Sequence, residues 1–357
     1  MSLIADINIL NKKDIRKLSL DDLKAWLVEN GEKPFRAKQV YEWLWKHSAQ
    51  SFAEMNNVSL ALREKLDQHF TVNAVQVATQ QLSNDGTIKS AFKLHDAHIV
   101  EGVLIPHDER KTACVSSQVG CSLTCKFCAT GYMDRVRNLD AAEIYDQVVR
   151  INEQSMKQYG QPLTNIVYMG MGEPMLNYAN VMKSIERITA HDGLGMAARR
   201  ITVSTAGIAK MIKKMADDGV KANLALSLHA ANDEKRNQIM PINESNSLEA
   251  LTDALKHYHQ VTGRKVTYEY IVFDNFNDTA ADAEDLLRFS KIIPCKINII
   301  EYNPIENADF QNTDDDRLQK FIYYLADRGL QVNVRRSRGK DIDAACGQLA
   351  VKEKTTA

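Results

Sequence analysis

From Lys111 onward the sequence alternates short apolar runs with longer amphipathic stretches, and that alternation leaves few folds open. Strands are predicted near residues 113–117, 165–169, 200–204, 223–228, 266–273 and 296–301. Helices are predicted between them, for example over 141–158, 248–260 and 280–292. Strand–helix repetition of this kind builds an α/β fold, a parallel sheet covered by helices. Six such units favour a partial barrel, (β/α)6, over a doubly wound sheet. A last helix over 316–328, a strand over 331–336 and the tail IDAACGQLA complete the pattern. Active sites of parallel barrels collect where the strands end and the next loops begin. Those loops are where chemistry is expected.

The residues ahead of this alternation have a different texture. Up to about residue 72 they read as short amphipathic helices. Ser19 before Asp21 and Asp22 is an N-cap with acids in the first turn, and Gly31 is a stop. Pro34 opens a second helix with Val40, Trp43 and Leu44 at helical spacing, and a third is predicted over about 60–70. VNAVQVATQQL, the Asn84-Asp85-Gly86 turn and TIKSAFKL then form a β-hairpin, followed by the strand HIVEGVLIP. The expected organisation is a helical accessory domain over 1–72, a hairpin and strand extension over 73–106, a core barrel over 107–340 and a tail over 341–357.

With 45 Lys+Arg against 46 Asp+Glu, the formal net charge of the 357 residues is −1. A nucleic acid would have to meet a local basic patch rather than a global field. Lys33, Arg36, Lys38 and Lys46 in the helical region, and Arg335, Arg336, Arg338 and Lys340 near the end, are candidates. A solvated face is the commoner use of such residues. No apolar run reaches the roughly 18 residues a membrane span needs. The opening MSLIADINILNKKD also lacks the apolar centre of a signal peptide. A cytoplasmic chain without membrane contact is expected.

Six cysteines are too few for a disulfide scaffold, and four of them lie between 114 and 128. Cys121, Cys125 and Cys128 follow the first core strand with the spacing C-x3-C-x2-C. Thiolates hold zinc or iron–sulfur clusters, and closed structural sites take four ligands. Three ligands leave one iron of a cubane open to an amine and a carboxylate, which the amino-acid end of a methionine derivative offers. The rival reading is a zinc knuckle completed by Cys114 or His107, in an RNA-binding protein without catalysis. The second core strand ends in Met169-Gly170-Met171-Gly172-Glu173-Pro174, where the glycines let backbone approach a ligand closely. Ser204, the run Ser227-Leu228-His229 and Asn303 also stand at predicted strand ends, facing the same mouth. Cys346 lies among glycines, acids and a basic run, which suggests an exposed functional loop. Cys295 has no motif partner and is assigned to packing.

The cysteine spacing, with the aromatic Phe127 just before the last cysteine, resembles the radical S-adenosylmethionine (SAM) superfamily. That resemblance implies a [4Fe-4S] cluster on Cys121, Cys125 and Cys128, a partial (β/α)6 barrel, and reductive cleavage of SAM to a 5′-deoxyadenosyl radical. It also implies that Gly172 and Glu173 belong to the segment holding the SAM amino group. Ser204, Ser227, Leu228, His229 and Asn303 become candidates for its ribose and carboxylate. GEKPFRAKQV, CVSSQVGC, MGMGEP and IDAACGQL together look like the RlmN/Cfr family of RNA adenine methyltransferases, and the similarity extends from about Asp21 to Ala350.

Membership would imply a 23S rRNA adenosine as substrate, tRNA as a second one, and a flavodoxin-like or ferredoxin-like electron donor. Two SAM molecules would be used per turnover. By analogy Cys346 takes a methyl from the first, and the radical made from the second removes hydrogen from that methyl. The carbon then adds to the ring, Glu101 accepts the ring proton, and Cys114 resolves the adduct through a transient Cys114–Cys346 disulfide. A protein thiolate is needed because C2 and C8 of adenine are electron-poor and cannot attack a sulfonium methyl. Pro174 and GEKPFRAKQV look like the C2 (RlmN) type. The stretch CATG at 128–131 is shared with the C8 (Cfr) type, which remains the alternative.

Overall fold

The computed structural model of the chain describes residues 12–351. Most of the opening stretch, and the end of the tail, therefore lie outside the described residues. Strand β1 (Lys13–Asp14) pairs in parallel with β2 (Phe70–Thr71), and three helices lie between them: α1 (Leu20–Glu29), α2 (Arg36–Trp45) and α3 (Leu60–His69). The Ser19 cap forms as predicted: its hydroxyl accepts from Asp22 N at 3.1 Å while Ser19 N donates to the Asp22 carboxylate at 3.0 Å.

An antiparallel meander follows: β3 (Gln76–Leu82), β4 (Ile88–Lys93), β5 (Ile99–His107) and β6 (Arg110–Cys114). The two-residue strands β7 (Gln118–Val119) and β8 (Arg137–Asn138) pair with each other and form the stem of the cysteine loop. Helix α4 (Ala141–Tyr159) then leads into β9 (Asn165–Tyr168), α5 (Tyr178–Thr189), β10 (Ile201–Thr205), α6 (Ala209–Asp217) and β11 (Asn223–Ser227). Next come α7 (Asp233–Ile239), α8 (Leu248–Thr262), β12 (Val266–Ile271), α9 (Ala280–Ser290), β13 (Cys295–Ile300), α10 (Asp315–Ala326) and β14 (Val332–Arg335).

One sheet carries ten of these strands, in the order β14-β13-β12-β11-β10-β9-β6-β5-β4-β3. The predicted α/β class holds, with two differences in detail. First, the strand predicted over 331–336 is a further parallel member of the sheet, paired with β13, so the parallel set has seven strands instead of six. Second, the first core strand is Arg110–Cys114 instead of 113–117. It is the return arm of a tight hairpin (His107 opposite Arg110), which starts it early. Residues 115–117 leave the strand because they are recruited by the next loop: Ser117 N donates to Met171 O at 2.9 Å, and Gly170 N to Val115 O at 3.1 Å. β6 is thus the junction where the antiparallel extension becomes the parallel barrel.

The helical region docks on α4 through a buried charge cluster. The Arg16 guanidinium meets Asp14 at 3.1 Å and Asp146 at 2.8 Å, all nearly solvent-free, and Trp45 stacks edge-on against Tyr145 at 5.1 Å. Removing the cation strands two buried carboxylates, which typically costs about 3–5 kcal/mol. Arg16→Met should lower unfolding stability in urea by about that amount, with the loss reported first by Trp fluorescence.

Candidate active site

At the carboxyl ends of the parallel strands a cavity opens. One wall carries Cys121, Cys125 and Cys128; the other carries Gly172, Glu173, Ser204, Ser227 and His229, with Cys346 at the rim. The cysteine loop owes its path to Gly120, at φ +72°. A Cβ there would sit 1.9 Å from Asp134 O, so only glycine lets the two sides of the loop close. The loop is seated on the end of α7 by Lys126 N donating to Ile239 O at 3.0 Å. Phe127 is buried against the rings of His229 at 4.7 Å and Phe273 at 5.9 Å.

Burial pushes all three thiols up, Cys121 to about 11, and for Cys125 the neighbouring Cys128 and Cys121 add to the shift. Thiols that resist ionisation alone become thiolates when a cationic centre compensates them. Among the described residues no three Cys, His, Asp or Glu side chains converge tightly enough to hold a single metal ion. His107, one proposed fourth zinc ligand, is half exposed beside Asp108. Three soft donors around an open cavity fit a cubane better than a closed zinc site.

The opposite wall is built by the loop after β9. Gly172 has φ +91°, and a Cβ would fall 2.4 Å from Gln118 Cβ. Glu173 is fully enclosed. Its carboxylate accepts from Ala206 N at 2.8 Å and Met175 N at 3.0 Å, and burial pushes its pKa up. Such a carboxylate is suited to an ammonium group. The Ser204 and Ser227 hydroxyls lie 3.4 Å apart on neighbouring strands. His229 is buried with its pKa lowered to about 3, first by burial and then by Arg236. Its Nδ1 accepts from Ile271 N at 3.2 Å, which leaves Nε2 as the donor.

Two residues expected at this rim, Leu228 and Asn303, do not line the cavity itself. The Leu228 side chain packs in the main hydrophobic core and does not line the cavity. Its neighbours on β11 alternate faces, so Ser227 and Leu228 cannot both point inward. Asn303 does not line the cavity either. Its amide donates to Cys346 O at 3.1 Å and to Glu301 O at 3.3 Å, so it holds the tail.

Cys114 ends β6 and is buried, and it lines a second, adjoining cavity together with Cys128, Arg335 and Cys346. The spacing of the two remote cysteines did not foretell this meeting. Ala129 N donates to Gly347 O at 2.7 Å and Thr130 Oγ1 to Leu349 O at 2.6 Å, which ties the tail to the cysteine loop. Burial pushes Cys114 up to about 12, and the Cys346 anion would push it further. Cys346 is open to the two cavities, whose walls still push its thiol up by desolvation, and against that shift the Arg335 guanidinium pulls down. Arg335 is held by Glu269 at 3.2 Å. A candidate phosphate contact in the sequence, it faces the two thiols in the structure.

Glu101, which reads in the sequence as an exposed strand residue, is buried. β5 is an inner strand, and the loop after β9 covers it: Glu101 N donates to Met171 Sδ at 3.3 Å. Burial raises the Glu101 pKa, partly offset by Lys89 at 3.5 Å. Lys89 also donates to Asp343 O at 3.4 Å, a partner that no sequence pattern disclosed. Of the basic residues near the mouth, Lys340 is paired with Glu301 at 2.5 Å, and Arg336 and Arg338 line the second cavity.

A partial barrel with three cysteines of one loop facing a glycine–glutamate loop defines a radical SAM enzyme. The Radical SAM superfamily matches residues 115–289, and the ribosomal RNA large subunit methyltransferase N-terminal domain matches residues 13–72. The chain is 63% identical over 344 residues to a "probable dual-specificity RNA methyltransferase RlmN" of Cytophaga hutchinsonii, covering 96% of this chain and 94% of that one. A protein of the same description from Flavobacterium johnsoniae is 53% identical, with 96% and 99% covered. A radical SAM methyltransferase from Sphaerobacter thermophilus superposes with a TM-score of 0.90 at 38% identity, over 95% of this chain and 100% of that one. The chain belongs to the RlmN family of radical SAM methyltransferases, whose cofactors are a [4Fe-4S] cluster and SAM.

The Gly172 contact yields a direct test. Gly172→Ala would force both a strained φ and a displaced Gln118, so SAM affinity should fall at least about tenfold, or about 1.4 kcal/mol. Calorimetric titration of the reconstituted protein would measure it, with iron content unchanged.

Proposed function

We propose that the chain methylates C2 of an adenosine in 23S rRNA, and of one in tRNA, through a methyl carried on Cys346. The observation that supports this most is that Cys114, Cys346 and Arg335 line one cavity beside Cys128. In this reading Cys121, Cys125 and Cys128 hold the cluster, while Gly172, Glu173, Ser204, Ser227 and His229 hold SAM. Bound there, the two cofactors supply a methyl group and a 5′-deoxyadenosyl radical.

The chain's own residues do the rest. Arg335, anchored on Glu269, favours the Cys346 thiolate, the form able to take a methyl by displacement. Cys114 stays protonated at rest because it is buried, so it does not compete for that methyl. Glu101, its pKa raised by burial, sits as a base for the ring proton once the carrier carbon is joined to the adenine. The odd electron of that adduct must leave with the proton to a one-electron acceptor, a role the bound cluster would supply. Cys114 then attacks the Cys346 sulfur: an S–S bond forms, the S–C bond breaks, and the carbon leaves as methyl after taking a proton. The base must be unpaired and turned out of its stack to enter. Arg336 and Arg338 at the second cavity are the proposed phosphate contacts.

Among the described residues no helix is long and apolar enough to cross a membrane. A cytoplasmic enzyme fed by a flavodoxin-like or ferredoxin-like donor agrees with these assignments. Incubated with RNA and SAM under reducing, anaerobic conditions, Cys114→Ala should accumulate a covalent RNA adduct. Cys346→Ala should give neither adduct nor product, and the wild type should yield 2-methyladenosine by nucleoside mass spectrometry. Methylation by Cys346→Ala would refute the carrier role; 8-methyladenosine would refute the C2 assignment.

A further inference from the structure

Arg236, in α7, is fully buried, yet among the described residues no acidic side chain forms an ion pair with it. Its Nε donates to Leu228 O at 3.0 Å, Nη1 to Asn243 Oδ1 at 2.6 Å, and Nη2 to Ala206 O at 2.6 Å and Ser227 O at 3.2 Å. Every acceptor is neutral. The other deeply buried guanidinium, Arg16, meets two carboxylates. Four carbonyl-type oxygens accept from four of the five Arg236 N–H groups but carry no charge to balance it, and an unbalanced buried charge is costly. The carboxylate that acts on it electrostatically, Asp233, is one amide away: Asn243 Nδ2 donates to Asp233 Oδ1 at 2.7 Å. Asp233 is itself solvent-exposed.

The position explains what could balance this charge. The carbonyls that Arg236 grips belong to Ala206, Ser227 and Leu228, and Ala206 and Ser227 line the main cavity. The cysteine loop rests on the same helix three residues on, through Lys126 N and Ile239 O. Arg236 and Cys125 lie within electrostatic reach of each other, and Arg236 also acts on His229. Burial lowers the Arg236 pKa only to about 10, so the guanidinium is charged at neutral pH.

We infer that Arg236 is the internal counter-charge of the cluster, a positioning residue whose field favours the reduced, more negative form. The inference rests on the proposed cluster ligation by Cys121, Cys125 and Cys128. Three thiolates give the cluster a net negative charge, and uptake of one electron adds another. A fixed buried cation stabilises the reduced state more than the oxidised one, so it raises the potential that the donor must reach. A staple role alone would need a hydrogen-bonding side chain at this place but not a charge.

The test is a redox titration, followed by electron paramagnetic resonance, of anaerobically reconstituted full-length protein without SAM. In Arg236→Gln the reduced-to-oxidised ratio at the wild-type midpoint should fall about tenfold, equivalent to about 59 mV for a one-electron couple. Asp233→Asn, which removes a neighbouring acid at an exposed position, should shift the ratio upward. Arg236→Gln with a full cluster and an unmoved midpoint would overturn the inference. If Arg236→Gln does not assemble a cluster, an unmoved or lowered midpoint in Asp233→Asn would overturn it instead. Failure of the wild type to take up iron and sulfide would refute the ligand assignment, a separate outcome.

Discussion

The site depends on the return of the chain's end to the mouth of the barrel. After β14 the backbone could leave the molecule; instead it is stitched back at successive points. Gly339 N donates to the Asp85 carboxylate at 2.9 Å, and the Asp341 carboxylate accepts from Ser83 Oγ at 2.5 Å and Asn84 N at 3.0 Å. Farther on, Gly347 O and Leu349 O accept from the cysteine loop. These bonds enclose Cys346 on both sides while its own side chain stays open to the cavities. Without them, Cys114 and Cys346 would lie on separate parts of the chain, and the cysteine trio would face solvent on that side.

The charges in the enclosure are arranged so that each is held back until a partner arrives. The three loop thiols, Cys114, Glu173 and Glu101 are all shifted toward their protonated forms by burial. The cations, Arg335 and Arg236, stand beside the sulfurs. A cavity whose thiols and carboxyls are pushed up by burial, beside cations that stay charged, is primed for ligands that bring irons to the thiols and an ammonium to Glu173. Low polarity strengthens each such pairing once water is excluded. The same burial that disfavours the empty cavity therefore favours the occupied one, which is how binding free energy becomes stability.

Much of this was legible in the sequence because the signals are local. The α/β alternation, the Ser19 cap, the Asp85-Gly86 turn and the C-x3-C-x2-C loop each depend on neighbours in the chain. What escaped depends on sheet order. Glu101 reads as exposed because alternation along one strand does not reveal that both neighbouring strands and the loop at Met171 enclose it. Leu228 was placed at the mouth because it stands at a strand end, although side chains there alternate inward and outward. Asn303 and Arg335 were legible as polar residues at strand ends, but not as a clamp on the Cys346 backbone and a charge for its sulfur. Arg236 had no motif of its own; only its burial without an ion pair marks it.

The hairpin extension shows the same dependence most clearly. In the sequence it resembles an appendage between a helical domain and a barrel. In the structure it is continuous with the barrel sheet, and its last strand, β5, carries Glu101 while its turn anchors the tail at 339–341. Lys89, one strand over, touches both: Glu101 at 3.5 Å and the Asp343 carbonyl at 3.4 Å. Withdrawing Lys89 would raise the Glu101 pKa further, since the ammonium is what offsets burial there. One lysine thus joins the proposed base to the backbone three residues before Cys346. An ordered β-extension can set that link in a way a flexible linker cannot, because antiparallel register fixes Lys89, Glu101 and Cys114 on adjacent strands.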